Sequence, residues 1–503
     1  MNTASKIIET ELEAADLMSA AMAEGAIDLP SGSVCQRIIS CDGHVAQLSS
    51  EAVRGAVALE GIVEFTVVYE SADGLESVTG VCPFTHRLGA PQAEPGMDVR
   101  VRGMVSSPGA RPAGSTRLLV EAVVELDAQV TGREPVEVAA ESADDRLQML
   151  MTTLYWQRKS VGSKASTTVR EEFEVPRDLP AVAKVLRVQG DVLIGEVQAQ
   201  RDEAMVSGDL LLNVLYNDET GGIHKGSFTI PFGTPVEATG MTDSMEARAW
   251  GSASQLFINV GENLNDERRV LSLEAPLFLS VEGYEPCEME ALADAYHLDS
   301  DMVVSREDIG LFDGPVETVE KVLVRGALPS ADLPSESVAV LAALVTPVID
   351  GYSVADGRVD LNGRLRTRLY CRTADDAVIS VLAEAPYTAA IRWEGASADS
   401  KLDLSAVALK STILTGASFE VESELSVSIC SRRMTTYSVV TELTEGAHLA
   451  QALPPLTLCV AGNADTAWSL ARRCRVKVED LIKANPEIAH GVKPGARIVV
   501  LRK

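Results

Sequence analysis

Along most of this chain hydrophobic and polar residues alternate in short runs, the period at which neighbouring side chains point to opposite faces of a strand. Val99-Arg-Val-Arg-Gly-Met-Val105 is the clearest case. Similar runs occupy 34–41, 52–58, 61–69, 75–82 and 118–130, and turn spellings such as Ala72-Asp-Gly74 separate them. A second set follows at 182–188, 192–197, 208–216, 226–232, 247–250, 256–260 and 270–281, and a third extends from about 338 to 442 in the same order. Strands this frequent, without intervening helices, predict antiparallel sheets with one wet face, packed as sandwich-like modules.

The runs also repeat as words. Gly-Ile-Val-Glu-Phe-Thr-Val-Val-Tyr69 returns as Gly-Asp-Leu-Leu-Leu-Asn-Val-Leu-Tyr216 and again as Asn-Gly-Arg-Leu-Arg-Thr-Arg-Leu-Tyr370. Each is followed by a polar turn and a strand that closes on Pro83-Phe84, Pro231-Phe232 or Pro386-Tyr387. The tyrosines lie 147 and 154 residues apart, so each unit is a domain and not a solenoid rung. The third copy moves its glycine to Gly363 and ends on Tyr387 where the others have Phe84 and Phe232. The three tyrosines are expected in the core or at turns, with the hydroxyl bonded to a backbone partner.

Two segments depart from this grammar. Residues 5–24 place Ile8, Leu12, Ala15, Met18 and Met22 at helical spacing, with Gly25 and Pro30 as stop signals, and predict an amphipathic N-terminal helix. Residues 134–178 and 286–336 are acidic and read as linkers. Within the first, Leu147, Leu150, Met151 and Leu154 fit one helix face, while Leu154-Tyr-Trp156 fits a strand equally well. The reading therefore divides the chain into an N-terminal helix (1–29), a first module (30–135), a linker with a second module (136–285), a linker with a third (286–452) and a tail (453–503).

Pro454-Pro455 marks the start of that tail. It spells a short strand at 456–460, helices at 466–474 and 478–484, and a closing strand at 496–501, with Asp465 placed to cap the first helix and Pro494-Gly495 to turn into the last strand. Trp468, Leu470, Ala471, Leu481, Ile482, Ile498 and Val500 suffice for one small core.

Composition narrows the function. The 503 residues carry 73 acidic and 44 basic side chains, a net charge of −29 that repels nucleic acid and anionic headgroups. The first residues do not spell a signal peptide, and no apolar run is long enough to cross a bilayer, so neither export nor membrane insertion is expected. The eight cysteines include no CxxC pair and no cluster with histidine, so a zinc site is not expected and the thiols read as reduced. The six histidines are scattered, and no phosphate loop, nucleophile elbow or dinucleotide fingerprint is present, so catalysis, cofactor and metal are not expected.

Trp468-Ser-Leu-Ala471, Val478-Glu-Asp-Leu-Ile-Lys-Ala-Asn485-Pro486 and Val492-Lys-Pro-Gly-Ala-Arg-Ile-Val-Val500 resemble a LysM domain. The resemblance implies a groove between the loop after the first strand and the loop before the last, with Ala461, Gly462, Asn463, Trp468, Asn485, Glu487 and Ile488 as partner-binding residues. N-acetylglucosamine glycans are the family's common ligands. Here Ala464-Asp-Thr-Ala467 keeps the central Asp-Thr of the first loop and lacks the usual glycine and leucine, which shifts weight toward a protein ligand.

The three repeats resemble SPOCS domains, the β-rich modules of spore-coat proteins, through Ser207-Gly-Asp-Leu, Leu215-Tyr216 and Ile230-Pro-Phe232 and their counterparts. Three SPOCS-like modules ahead of a LysM-like tail are similar to spore-coat morphogenetic proteins. That resemblance implies a non-enzymatic adaptor in the mother-cell cytosol at the forespore surface. Its implied partners are a coat-basement ATPase of the stage IV sporulation protein A type and other coat proteins. Strand addition between modules would also permit a homo-oligomer. The alternative is a peptidoglycan or spore-cortex binding protein with the modules as spacer.

Overall fold

The computed structural model describes residues 3–329, 339–355, 357–395, 401–415, 419–448 and 454–502. Three tandem repeats follow one plan: a long strand, a three-stranded meander, one or two shorter strands and a closing long strand. The first comprises β1 (Thr3–Asp28), a meander of β2 (Arg37–Val53), β3 (Ala56–Ser71) and β4 (Gly74–Gly89), the short β5 (Asp98–Val105) and β6 (Gly109–Pro112), and the long β7 (Arg117–Ser142). The meander forms one sheet, and β1, β7 and β5 form the other, with β6 at its margin. Val57, Leu59, Phe65 and Val67 of the meander join Leu118, Val120, Val124 and Leu126 of β7 in the buried core, as the period-two pattern dictates.

The second repeat follows with β8 (Leu147–Glu174), β9 (Lys184–Gln200), β10 (Glu203–Asn217), β11 (Ile223–Glu237), β12 (Glu246–Ala253), β13 (Phe257–Gly261) and β14 (Val270–His297). The third has β15 (Ser300–Ala327), β16 (Ala339–Ala355), β17 (Arg358–Arg372), β18 (Val378–Arg392), β19 (Lys401–Thr415) and β20 (Phe419–His448). In every repeat the opening long strand pairs antiparallel with the closing long strand, β1 with β7, β8 with β14 and β15 with β20.

This pairing corrects the N-terminal helix. Residues 3–28 are a strand, held in register by pairs such as Ile8↔Val136 and Met22↔Val123. Of the expected apolar stripe, Ile8 is buried, but Leu12, Met18 and Met22 face solvent, and Ala14, Ala21, Ala23 and Ile27 take the inside instead. A register shift between Glu13 and Ala15 changes which face points inward. The local composition favours a helix, yet β7 supplies backbone partners along nearly the whole segment, and tertiary pairing overrides propensity.

The segments read as linkers are strands as well. Within β8, Leu147 and Leu154 are buried while Leu150 and Tyr155 are exposed, so the open choice between helix face and strand resolves to strand. Most of the acidic stretch from 286 belongs to the end of β14 and to β15. The three long ribbons project beyond their sandwiches and share an apolar core made of Ile8 and Val138, Leu154 and Ala291, and Ile309, Leu311 and Val439. A second shared cluster adds Ala139, Leu147, Leu292, Ala295, Val440 and Leu443.

The repeated words have a geometric cause. Gly61 pairs with Phe84, Gly208 with Phe232 and Gly363 with Tyr387. A Cβ on Gly61 would stand 2.5 Å from the Phe84 ring and 3.1 Å from the Gln47 carbonyl oxygen. On Gly208 it would meet the Leu193 carbonyl oxygen at 2.1 Å, and on Gly363 the Val348 carbonyl oxygen at 2.2 Å. Register shifts at Val45/Gln47, Val206/Gly208 and Ile349/Gly351 push the neighbouring strand inward there, so only glycine fits beneath the aromatic ring.

Counting from these glycines changes the third repeat. The offset that carries Gly61 to Tyr69 and Gly208 to Tyr216 carries Gly363 to Cys371, so Tyr370 stands where the others have Val68 and Leu215. The burial agrees: Tyr69, Tyr216 and Cys371 belong to the cores of their own repeats. Val68, Leu215 and Tyr370 instead meet in one cluster between repeats, with Ile39, Leu186 and Ala342. The Tyr216 hydroxyl donates to the Pro180 carbonyl at 3.0 Å, Tyr69 bonds Ser33 at 2.8 Å and Glu76 at 2.7 Å, and Tyr370 bonds Ser40 at 2.9 Å.

Candidate functional site

The three meanders converge on a cavity of about 710 Å³ lined by all three repeats. Its charged side chains are paired across repeat boundaries. Asp42 accepts from Arg368 at 2.9 Å and lies 2.8 Å from Arg187, so one residue from each repeat enters a single ionic cluster. Asp403 pairs with both Arg100 and Arg102, and Arg248 pairs with Glu317 and lies over the Trp250 ring that Arg100 also covers. Arg366 donates to the Val105 and Ser106 carbonyls. Glu64, buried, accepts the Gln255 N–H at 2.8 Å, and burial lifts its carboxyl above the usual range. These contacts fix how the repeats sit together, since a guanidinium taken from water is tolerated only where its partners are in place.

The tail has the predicted order of strand, two helices and strand: β21 (Leu456–Val460), α1 (Ala467–Cys474), α2 (Val478–Ala484) and β22 (Arg497–Leu501). Thr466, not Asp465, caps α1. Its hydroxyl accepts the Ser469 N–H at 3.1 Å, and the Ser469 hydroxyl accepts the Thr466 N–H at 2.9 Å, a reciprocal capping box. Asp465 accepts the Gly462 N–H at 2.8 Å and pairs with Arg473 at 3.0 Å, and the Gly462 bond above all holds its carboxyl below the usual range.

The tail rests on the turn between β14 and β15. Trp468 packs edge-on against Tyr296 with ring centroids 5.0 Å apart, and its Nε1–H donates to Asp294 Oδ2 at 2.7 Å. Asp294 also accepts from Arg472 at 2.8 Å and from Arg306. The Tyr296 hydroxyl donates to the Val476 carbonyl at 2.6 Å, and Arg475 donates to the His297 and Ser300 carbonyls and to Asp301. The stretch Asp299-Ser-Asp301, read from sequence as part of an acidic linker, is thus the turn on which the tail sits.

The residues expected in a groove divide four ways. Ala461 and Ile488 lie in the tail core. Asn485 is 2 % exposed; its amide donates to the Leu481 and Val499 carbonyls and accepts the Val499 N–H at 2.8 Å, clasping α2 to β22. Trp468 is engaged with the second repeat. Gly462, Asn463 and Glu487 remain exposed.

Sequence reasoning missed the outer face of the two-stranded sheet. Leu456, Leu458, Val460 and Leu501 are 65, 60, 61 and 52 % exposed, and the register places Leu456 beside Leu501, Leu458 beside Val499 and Val460 beside Arg497. The signal was present in Leu456-Thr-Leu-Cys-Val460. With helices covering only the side of Cys459, Ile498 and Val500, the alternate aliphatics must face out. The tail also reverses the sign of the chain. Residues 454–503 hold nine basic and four acidic side chains, net +5, leaving −34 on the remainder.

Among the described residues no group of His, Cys, Asp and Glu is arranged to hold a metal ion, and no helix is long and apolar enough to cross a membrane. No curated protein and no solved structure matches the chain. The family model described as "SipL, SPOCS domain" matches residues 35–107 and 181–260. These stretches cover the meander and β5 of the first repeat and the meander, β12 and nearly all of β13 of the second, including both glycine and aromatic pairs. Through them the first two repeats are identified as SPOCS domains of the SipL type.

Proposed function

We propose that this chain is a non-enzymatic adaptor in spore-coat assembly, its repeats forming a scaffold and its tail binding a protein of the coat's basement layer. The observation that carries this reading is the tail's surface: an exposed aliphatic sheet face closed by Arg497, on a basic domain mounted at one end of an acidic body. A contiguous apolar face of this kind marks an interaction site, and the surrounding charge selects an acidic partner and speeds encounter. The SPOCS family context supports a place at the forespore surface in the mother cell, with a stage IV sporulation protein A type ATPase as the basement partner. Several such contacts on one chain raise the effective concentration at a growing shell.

The test is titration of the full chain with that ATPase, in parallel with chitin-type oligosaccharides and peptidoglycan, using Leu458→Glu and Val460→Glu as variants. The adaptor reading expects saturable protein binding that these substitutions weaken about tenfold or more, the loss of a buried aliphatic contact and its replacement by a like charge. Glycan binding that survives both substitutions, without protein binding, supports the wall-binding alternative and ends the adaptor reading.

A further inference from the structure

Two of the chain's eight thiols touch. Cys459 Sγ lies 3.1 Å from Cys474 Sγ, across the interface between the inner face of β21 and the last residue of α1. Both belong to the tail core, Cys474 buried and Cys459 half-exposed. The helix end is held in place by Arg502, whose guanidinium donates to the Cys474 carbonyl at 2.7 Å, and by the left-handed Arg475 that follows it. Both thiols lie on the inner side of the tail, and neither side chain reaches the outer aliphatic face.

We propose that Cys459 and Cys474 form a reversible intramolecular disulfide when the protein meets a low-molecular-weight disulfide such as oxidised glutathione. The half-exposed Cys459 is the entry thiol. Its thiolate attacks one sulfur of the small disulfide, breaking that S–S bond and releasing one small thiolate. The Cys474 thiolate then attacks Cys459 Sγ in the mixed disulfide, forming the protein S–S bond and releasing the second small thiolate. Two protein thiols are oxidised and one small disulfide is reduced, and the two protons given up by the protein end on the released thiols. Sulfurs already in contact need little movement to reach bonding distance, which sets this pair apart from a lone thiol. Burial and the neighbouring Cys459 raise the Cys474 pKa to about 11, so the resolving step quickens as pH rises.

The bond would join β21 to the end of α1 and constrain the loop between them, while leaving Leu456, Leu458 and Val460 outward. It is therefore a lock on the tail's fold and independent of which partner the tail binds.

The experiment uses the full chain in a series of glutathione buffers, trapped with N-ethylmaleimide and mapped without reduction. The expected result is a linked peptide joining Cys459 to Cys474, lighter by two hydrogens, that accumulates as the buffer becomes more oxidising and disappears with dithiothreitol. Amide exchange in β21 and α1 should slow in step with it. Cys459→Ser should abolish the linkage while circular dichroism remains that of the parent, and Cys474→Ser should leave a persistent glutathione adduct on Cys459. A persistent adduct in the parent protein, linkage of either cysteine to a different one, or full alkylation of both thiols throughout the series would overturn the proposal.

Discussion

The indole N–H of Trp468 donates to Asp294 Oδ2 at 2.7 Å, joining the tail to the second repeat through a carboxylate that is itself 9 % exposed. Arg472 and Arg306 approach the same carboxylate from opposite sides of the boundary, one from α1 and one from β15. Replacing Asp294 by Ala leaves two guanidinium groups and an indole without their acceptor, at a cost of about 2–4 kcal/mol to the docked state. Amide exchange should rise in α1 and around Tyr296 and stay unchanged in the three meanders. Unchanged exchange in α1 would show that Tyr296 and Arg475 hold the tail by themselves.

The shared Asp42 makes a sharper case. Asp42→Ala strands Arg187 and Arg368 in the hub, and the expected loss is about 3–5 kcal/mol, read as a lowered urea midpoint. A triple variant that combines Asp42→Leu with Arg187→Met and Arg368→Met should recover most of it, because apolar side chains of similar volume need no partner. A triple variant as unstable as the single one would mean that the cavity cannot close around aliphatic groups.

At the repeat glycines the obstacle differs between copies, and so should the remedy. Gly61→Ala presses chiefly on the Phe84 ring, whereas Gly208→Ala presses on the Leu193 carbonyl. Each is expected to cost about 1–3 kcal/mol or more, as overpacking does. Adding Phe84→Leu should restore part of the stability of Gly61→Ala, while Phe232→Leu should do little for Gly208→Ala. Thermal unfolding of the four proteins decides it, and equal rescue at both sites would contradict the backbone clash.

Glu64 supplies a dependence on pH. Burial raises its carboxyl above the usual 4.5, so the folded protein keeps this proton to higher pH than the unfolded chain does. The stability it contributes is fully present below 4.5 and is lost as pH rises through the raised folded value. Glu64→Gln keeps an acceptor for the Gln255 N–H and has no proton to lose. The variant should therefore melt above the parent at neutral pH and approach it near pH 4. A variant that melts below the parent at neutral pH would show that burial does not penalise the ionised carboxyl.

Much of this fold was legible because strand periodicity is a local signal. The meanders, their turns and the helices of the tail follow from residues a few positions apart, as in Val99 to Val105 and Thr466 to Ser469. The N-terminal strand was not, because Ile8, Leu12, Met18 and Met22 satisfy a helix locally and only the distant β7 makes them a strand. The same distance hid the second half of each ribbon, where Leu154 and Trp156 needed β14 to decide between two periods. Tyr370 was misplaced for a different reason: a tyrosine one residue early repeats a word while changing its meaning, and only the glycine beneath Tyr387 fixes the register. At the tail, the groove residues came from a family pattern, whereas the outer face required knowing which side of the sheet the helices cover.

The chain order of the ribbons also dictates when they can be finished. Arg432 of β20 donates to Glu11 of β1 across 421 residues of sequence, and Ile8 shares its cluster with Val439. During synthesis the first strand emerges early, yet its apolar side has no complete cover until the last repeat leaves the ribosome. Through most of translation the outer halves of β1 and β7 are a two-stranded ribbon with an uncovered face and open edges, the form of β structure most prone to pair with a neighbouring chain. A chain that halts before β20 is thus left with a ribbon that its own fold cannot bury.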